Sequence, residues 1–184
     1  MAKKKIELEE GNVFSVRIAE NVWTIAQLCN IFKIPNSRYS TETLAFFNYK
    51  TENEEQIINE LDKIDLSNPF LITTINGNPV KDYGLNIIGK KSIYFKNEPN
   101  YKNDISKSGG DYKNITQDYE DIIASYFGVL PWDCYAKDDY METSLLPSFE
   151  KRDDVKYMKD FSIQELQKLL PSRNIKLIKL LEMQ

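Results

Sequence analysis

The chain has 184 residues, of which 41% are hydrophobic and 28% charged, enough for one domain with a buried core and too apolar for a disordered polymer. Twenty-four basic against 28 acidic residues leave a net charge of −4, so nucleic acid phosphates repel the chain as a whole and nucleic acid is not expected as a partner. Histidine is absent, which excludes Ser-His-Asp and Cys-His hydrolase sites and histidine-based metal centres within this chain.

The opening "MAKKKIELEEG" turns acidic before any apolar run appears. A secretory leader, a bilayer span and a membrane partner are therefore not expected, and a cytoplasmic location is. Three strands follow. In "NVFSVRIA", Phe14, Val16 and Ile18 alternate with Val13, Ser15 and Arg17, the period of a half-buried strand. "VWTIAQLCNIF" sets Trp23, Ile25, Cys29 and Ile31 on one face and Ala26, Leu28 and Phe32 on the other. "ETLAFFNYK" opposes Leu44 and Phe46 to Ala45, Phe47 and Tyr49, and β-branched and aromatic residues enrich all three segments. The intervening "IPNSRYST" reads as a polar loop.

A helix is expected at "NEEQIINELDKI", with Ile57, Ile58, Leu61 and Ile64 as its apolar stripe and Glu54 and Glu55 favouring its N-terminal end. "PFLITTI" resumes the strands, "NGNP" marks a turn, and "LNIIGKKSIYF" reads as two short apolar pieces flanking Gly89. The residues from Lys96 to Asn114 form a polar connection. Helical spacing then takes over: Tyr119, Ile122, Ile123, Tyr126 and Phe127 share one stripe, Thr116 is the candidate N-cap, and Gly128 can end the helix. A short helix is expected around "DDYMETSLL", and Ser162 with Glu165 forms a capping box in "FSIQELQKLLP", closed by Pro171. The tail "NIKLIKLLEMQ" fits a strand or a helix. Together these elements predict a single α+β domain over 1–184. Its β-rich part spans about 10–97 as a mainly antiparallel, strongly curved sheet or small β-barrel with an inserted helix. Additional C-terminal helices make up an acidic part at about 114–184.

Charge is uneven. Asp104 to Asp154 carries 12 acidic and 5 basic residues, a net of −7 that leaves the rest of the chain at +3. Inside that stretch, "GVLPWDCYAKDDY" gathers Trp132, Tyr135 and Tyr140 among Asp133, Asp138 and Asp139. Acids interleaved with aromatics suit a surface that attracts a basic protein and then anchors it on rigid rings. The competing reading places Trp132, Tyr119 and Tyr126 in the core and gives the acids to solvation. Paired acids could also bind a cation or perform acid–base work, at Asp118 with Asp121 or at Asp138 with Asp139. Neither pair has the rhythm of a calcium loop, and "GKK" at Gly89 lacks the upstream glycine of a phosphate loop. No catalytic, cofactor or metal site is therefore expected. Cys29 and Cys134 lie far apart without CxxC spacing, so two buried reduced thiols are expected. The alternative to such a protein-anchoring surface is a small-barrel binding module for a peptide, or for nucleic acid through a basic patch built from Lys3, Lys4, Lys5, Arg17, Lys33 and Arg38.

Several segments together resemble one family. "EGNVFSVRIAENVWTIAQL", then "LAFFNYK", "DLSNPFLITT" and "KDYGLNIIGKKSI", are similar to the immunity protein 26 family of bacterial polymorphic toxin systems. The likeness covers about residues 10–95 and extends more weakly through the helix at Asp118 to Phe127 and "PWDCY". Asn12 stands where the family often has Asp, the turn at Glu20 and Asn21 lacks its glycine, and Leu85 replaces an aromatic. The resemblance implies a mostly β domain that binds and neutralises a cognate protein toxin, with no catalytic residues of its own. A nuclease with a basic cleft is the toxin class that an acidic face would suit.

Overall fold

The structure, a computed structural model, describes residues 7–33, 40–96 and 119–183. Thr116, Asp118, the polar connection beyond Lys96, and most of the "IPNSRYST" loop lie outside the described residues.

Five strands build the sheet: β1 (Asn12–Ala19), β2 (Val22–Lys33), β3 (Ser40–Phe47), β4 (Pro69–Asn76) and β5 (Asn86–Lys90). Their order is β4-β3-β2-β1-β5, and every pairing is antiparallel. β4 and β5 are the two edges and do not pair with each other, so the sheet is open and the barrel expectation is corrected. Closure is unnecessary because helices and loops shield both faces. On one face, Phe14, Val16, Ala26, Leu28, Leu44, Phe46 and Phe70 pack against Tyr119, Ile122, Ile123, Tyr126 and Trp132. On the other, Val13, Ile25, Cys29, Ala45, Phe47 and Ile72 pack against Ile57, Ile64 and Phe95. The β-rich and helical parts of the chain thus share one hydrophobic cluster.

Register irregularities decide which side chains face which layer. Leu28 pairs with Leu44 but Asn30 pairs with Thr43, a bulge that reverses the alternation of β2. Cys29 therefore stays with Val13 and Ile25, while Ile31 crosses to the cluster of Leu28. Strict period-2 alternation puts Ile31 beside Cys29, and the extra residue is the reason it fails. At the β1–β2 turn, Asn21 adopts φ +57°, taking the left-handed conformation that a glycine would otherwise supply.

Helix α1 (Glu54–Glu60) is capped by Asn53, whose side chain accepts from the backbone N–H of Gln56, and continues as a 3-10 turn at Leu61–Lys63. Ile57 and Ile64 are buried, whereas Ile58 is half exposed and does not belong to the inward stripe. The helix is short enough that only one of two consecutive isoleucines can face the sheet. After β4, the "NGNP" turn leads into helix α2 (Pro79–Asp82), where the Asn78 side chain accepts from Val80 and Lys81 N–H. β5 runs as one strand through Gly89, and Ile93 and Phe95 pack beyond its end.

Helix α3 (Tyr119–Tyr126) lies across the sheet. Its end is a Schellman motif: Gly128, at φ +71°, donates to Ser125 C=O at 3.1 Å, and Val129 donates to Ala124 C=O at 2.8 Å. The Lys50 ammonium adds a hydrogen bond to Phe127 C=O at 3.0 Å and an ion pair to Asp154 at 2.9 Å. Helices α4 (Tyr140–Ser144), α5 (Ile163–Leu169) and α6 (Ile175–Glu182) follow. The Ser162–Glu165 capping box is present, and the tail after Pro171 is helical, started by the Asn174 side chain accepting from Lys176 and Leu177 N–H. No described helix is long and apolar enough to cross a membrane.

Candidate functional site

The acidic aromatic segment separates into an inner and an outer half. Trp132 is only 2% exposed. Its Nε1–H donates to the Glu142 carboxylate at 2.9 Å, its ring stacks on Phe149 at 6.2 Å, and the Lys151 ammonium lies 4.1 Å from the ring centroid. Asp133 accepts from Met158 N–H at 2.7 Å and pins the 3-10 turn at Met158–Asp160. Trp132 therefore belongs to the core and is not available as a surface anchor, while the half-buried Asp133 has one carboxyl oxygen committed to the fold. Local sequence could not reveal this, because the partners, Glu142, Phe149 and Met158, arrive from 10 to 25 residues away.

Tyr135 and Tyr140 are half-buried and stacked at 4.4 Å, and the Tyr135 hydroxyl hydrogen-bonds that of Ser125 at 2.9 Å. Burial pushes the Tyr135 phenol far above its ordinary value, so it stays neutral. Asp138 and Asp139 are exposed. The Lys176 ammonium, 2.5 Å from Asp138, hydrogen-bonds it and holds its carboxyl below the usual range, with a smaller contribution from Lys179. Part of the expected negative potential is thus neutralised within the chain. The same holds for Asp154, well below the ordinary carboxylate range through Arg152 and Lys50.

Lys176 belongs to α6, and that helix brings an unexpected feature to the site. Its inner face, Leu177 with Leu180, packs against Cys134, Leu166 and Leu170. The Asn174 side chain donates to Cys134 C=O at 2.9 Å, fixing α6 against the loop that carries Asp138 and Asp139. Its outer face carries Ile175 at 57% exposure and Ile178 at 40%, with Met183 at 85% just beyond. "NIKLIKLL" did carry this signal, since its apolar residues are too many for a single inward stripe.

Other groups singled out in the sequence have structural partners. Lys91 donates to Leu61 C=O at 3.1 Å and Ile64 C=O at 2.8 Å, tying the end of α1 to the segment after β5, so the "GKK" lysines serve packing and surface pairing. Cys29 and Cys134 are buried in different clusters, and burial pushes the Cys134 thiol up to about 12. Among the described residues no group of three or more His, Cys, Asp or Glu stands close enough to hold a metal. Asp118 and most of the suggested basic patch lie outside the described residues. Within them, the Arg17 guanidinium donates to Ala19 C=O.

One buried acid carries no mark in the local sequence. Glu42 on β3 is 2% exposed, with one carboxyl oxygen accepting from the Ser40 hydroxyl at 2.6 Å and the other without a partner among the described residues. It pairs across the sheet with Ile31 and Ile75. Burial raises its pKa above 4.5, the Ser40 bond opposes the rise, and the nearby Asp82 adds to it; Tyr83 feels the charge of Glu42 in turn. Between the ordinary value and the raised one, the folded chain therefore holds a proton that the unfolded chain releases. Stability from this group is complete below the unfolded value and is lost as pH rises through the raised folded one. Glu42→Gln is expected to flatten that slope. Wild type should lose stability relative to the variant as pH rises from below the ordinary glutamate range, read by urea unfolding at a series of pH values. Superimposable pH profiles would mean that Glu42 ionises as freely folded as unfolded.

No protein-family model, curated protein or solved structure matches the chain.

Proposed function

We propose that this protein is a non-enzymatic inhibitor that binds and neutralises a cognate protein toxin by surface contact, in the manner of an immunity protein. The observation that carries this reading is the outer face of α6. Ile175 and Ile178 stay exposed on a helix already secured by Leu177, Leu180 and Asn174, so much of their apolar area is left unused by internal packing. Burying such apolar area returns about 25 cal/mol per Å². An apolar patch bordered by charge, here Asp138, Asp139 and Lys176, is the usual composition of a protein-docking surface. The stacked Tyr135–Tyr140 pair adds rigid aromatic area on the loop that α6 holds.

Inhibition of this kind needs no cofactor and no bond-making by the chain. It needs shape, a few desolvated anchors, and a potential opposite to that of the partner. The net charge of −4 favours a basic partner, and a nuclease with a positive substrate cleft is the toxin class that fits.

The test starts from the neighbouring genes: where one of them encodes a toxin, co-expression of the wild-type chain should rescue growth. Ile178→Asp should leave the unfolding midpoint nearly unchanged, because the residue is exposed, yet weaken toxin binding by roughly 30- to 100-fold in calorimetry. Unchanged affinity would remove α6 from the interface, and failure of rescue would remove the function.

A further inference from the structure

A cavity of about 160 Å³ opens where the end of β1 passes the turn after α2 and the first turn of α3. Val16, Ile18, Leu85 and Ile123 supply its apolar lining, and Tyr83, Tyr119 and Glu120 its aromatic and polar part. The two tyrosine rings meet edge to face, 5.9 Å between centroids and 64° between planes. Phe46 braces Tyr119 from the sheet at 5.9 Å, so this wall is preorganised. The Tyr119 hydroxyl donates to the Glu120 carboxylate at 3.2 Å, and Glu120 is otherwise exposed.

The local field is negative. Burial first, then the charges of Asp82, Glu120 and Glu42, push the Tyr83 phenol above its ordinary value; burial and Glu120 do the same for Tyr119. Arg17, the one cationic residue in the described lining, turns its guanidinium away. Its guanidinium bonds Ala19 C=O and lies 6.0 Å from the ring of Trp23, which packs on the opposite face of the sheet.

We infer that this cavity is a socket for a single basic side chain of the protein partner, arginine in preference to lysine. The stem would lie along Val16, Ile18 and Leu85, and the guanidinium would stack against the tyrosines while donating to Glu120. An uncharged apolar side chain would desolvate Glu120 without compensation, and an anion would be repelled by it. A planar guanidinium matches an aromatic wall with an adjacent carboxylate better than a compact ammonium does. This inference rests on the proposed function for the identity of the partner but not for the chemistry of the socket.

The full ¹⁵N-labelled chain can be titrated with Nα-acetyl-L-arginine amide and with the neutral isostere Nα-acetyl-L-citrulline amide. The arginine probe should give saturable amide shifts at Val16, Tyr83, Leu85 and Glu120 in the millimolar range, with citrulline at least roughly tenfold weaker. Glu120→Gln, at an exposed position, should weaken arginine binding about tenfold without altering the spectrum elsewhere. Tyr83→Leu, which keeps apolar bulk, should weaken it as well. Absence of saturable shifts at these amides, equal binding of citrulline, or an unaffected Glu120→Gln variant would overturn the assignment. If the arginine probe binds while toxin rescue fails, the socket stands and the proposed function falls. If rescue is intact and no probe binds, the function stands and the socket falls.

Discussion

Replacing Trp132 by alanine is expected to lower the unfolding free energy by about 3–5 kcal/mol, the range for emptying a large buried aromatic site. The loss has several parts. The indole leaves a cavity beside Phe149 and Met141, the Glu142 carboxylate loses its Nε1–H donor, and the Lys151 ammonium loses the ring beneath it. Glu142 and Lys151, 3.8 Å apart, remain as a half-exposed ion pair that recovers little of this. Trp132→Phe retains most of the apolar contact and should cost appreciably less. Urea unfolding followed by circular dichroism measures both. A Trp132→Ala variant with wild-type stability but impaired partner binding would restore Trp132 as a surface anchor and contradict its burial.

The second large effect is expected at Gly128. Its φ of +71° places it in the left-handed region, and a Cβ there would meet the Asp154 carbonyl oxygen at 2.5 Å. That carbonyl is backbone and cannot swing aside. It is also held in place, since the Asp154 side chain is tied by Arg152 at 2.7 Å and Lys50 at 2.9 Å, and Lys156 C=O accepts from Trp132 N–H at 2.7 Å. Gly128→Val therefore combines a backbone cost of about 1–2 kcal/mol with an overpacking cost of about 1–3 kcal/mol. For a chain of this length that corresponds to a midpoint lower by roughly 5–15 °C in a thermal scan. Gly84→Ala is the internal control: φ is +68° but a Cβ would meet nothing within 4 Å, so only the backbone cost, about 1 kcal/mol, should appear. Equal losses at the two positions would show that the Asp154 segment yields, and that the α3 terminus is not locked against it.

Both effects centre on the junction between the helical layer and the sheet. Phe70 of β4 stacks on Tyr126 of α3 at 3.7 Å and meets Phe127 edge-on at 5.7 Å, while the Tyr126 hydroxyl donates to Glu150 C=O at 2.7 Å. Three aromatic rings, one hydroxyl and the Lys50 clamp thus connect α3, β4 and the 150–156 segment. Substitutions here act on the position of α3, and through it on the cavity formed by its first turn.

Local pattern was sufficient wherever neighbouring residues satisfy one another. The alternation of Phe14, Val16 and Ile18, the stripe from Tyr119 to Phe127, the Gly128 stop and the Ser162–Glu165 box all appear in the structure. The candidate site was less legible. Its exposed acids, Asp138 and Asp139, lie on the surface as the charge pattern suggests, but Trp132 turns inward and Asp133 is half-buried with one oxygen on Met158 N–H. Ile175 and Ile178 were signalled only by the excess of apolar residues in "NIKLIKLL", and Tyr83 and Glu120 do not stand out because each looks ordinary within its own element.

What the amino-acid order determined by itself was the set of elements, their amphipathic faces and their caps, because these depend on bonds and contacts spanning a few residues. It also determined the charge balance and the absence of histidine chemistry. Only tertiary structure decided that the sheet stays open, that the bulge at Cys29 sends Ile31 to the other layer, and that Trp132 is core. It decided equally that Glu42 is buried with one carboxyl oxygen unpaired among the described residues, and that Lys176 pairs with Asp138. In each case the deciding partner lies on another element, and its approach follows from how whole faces are buried against one another, a quantity that no short window of sequence contains.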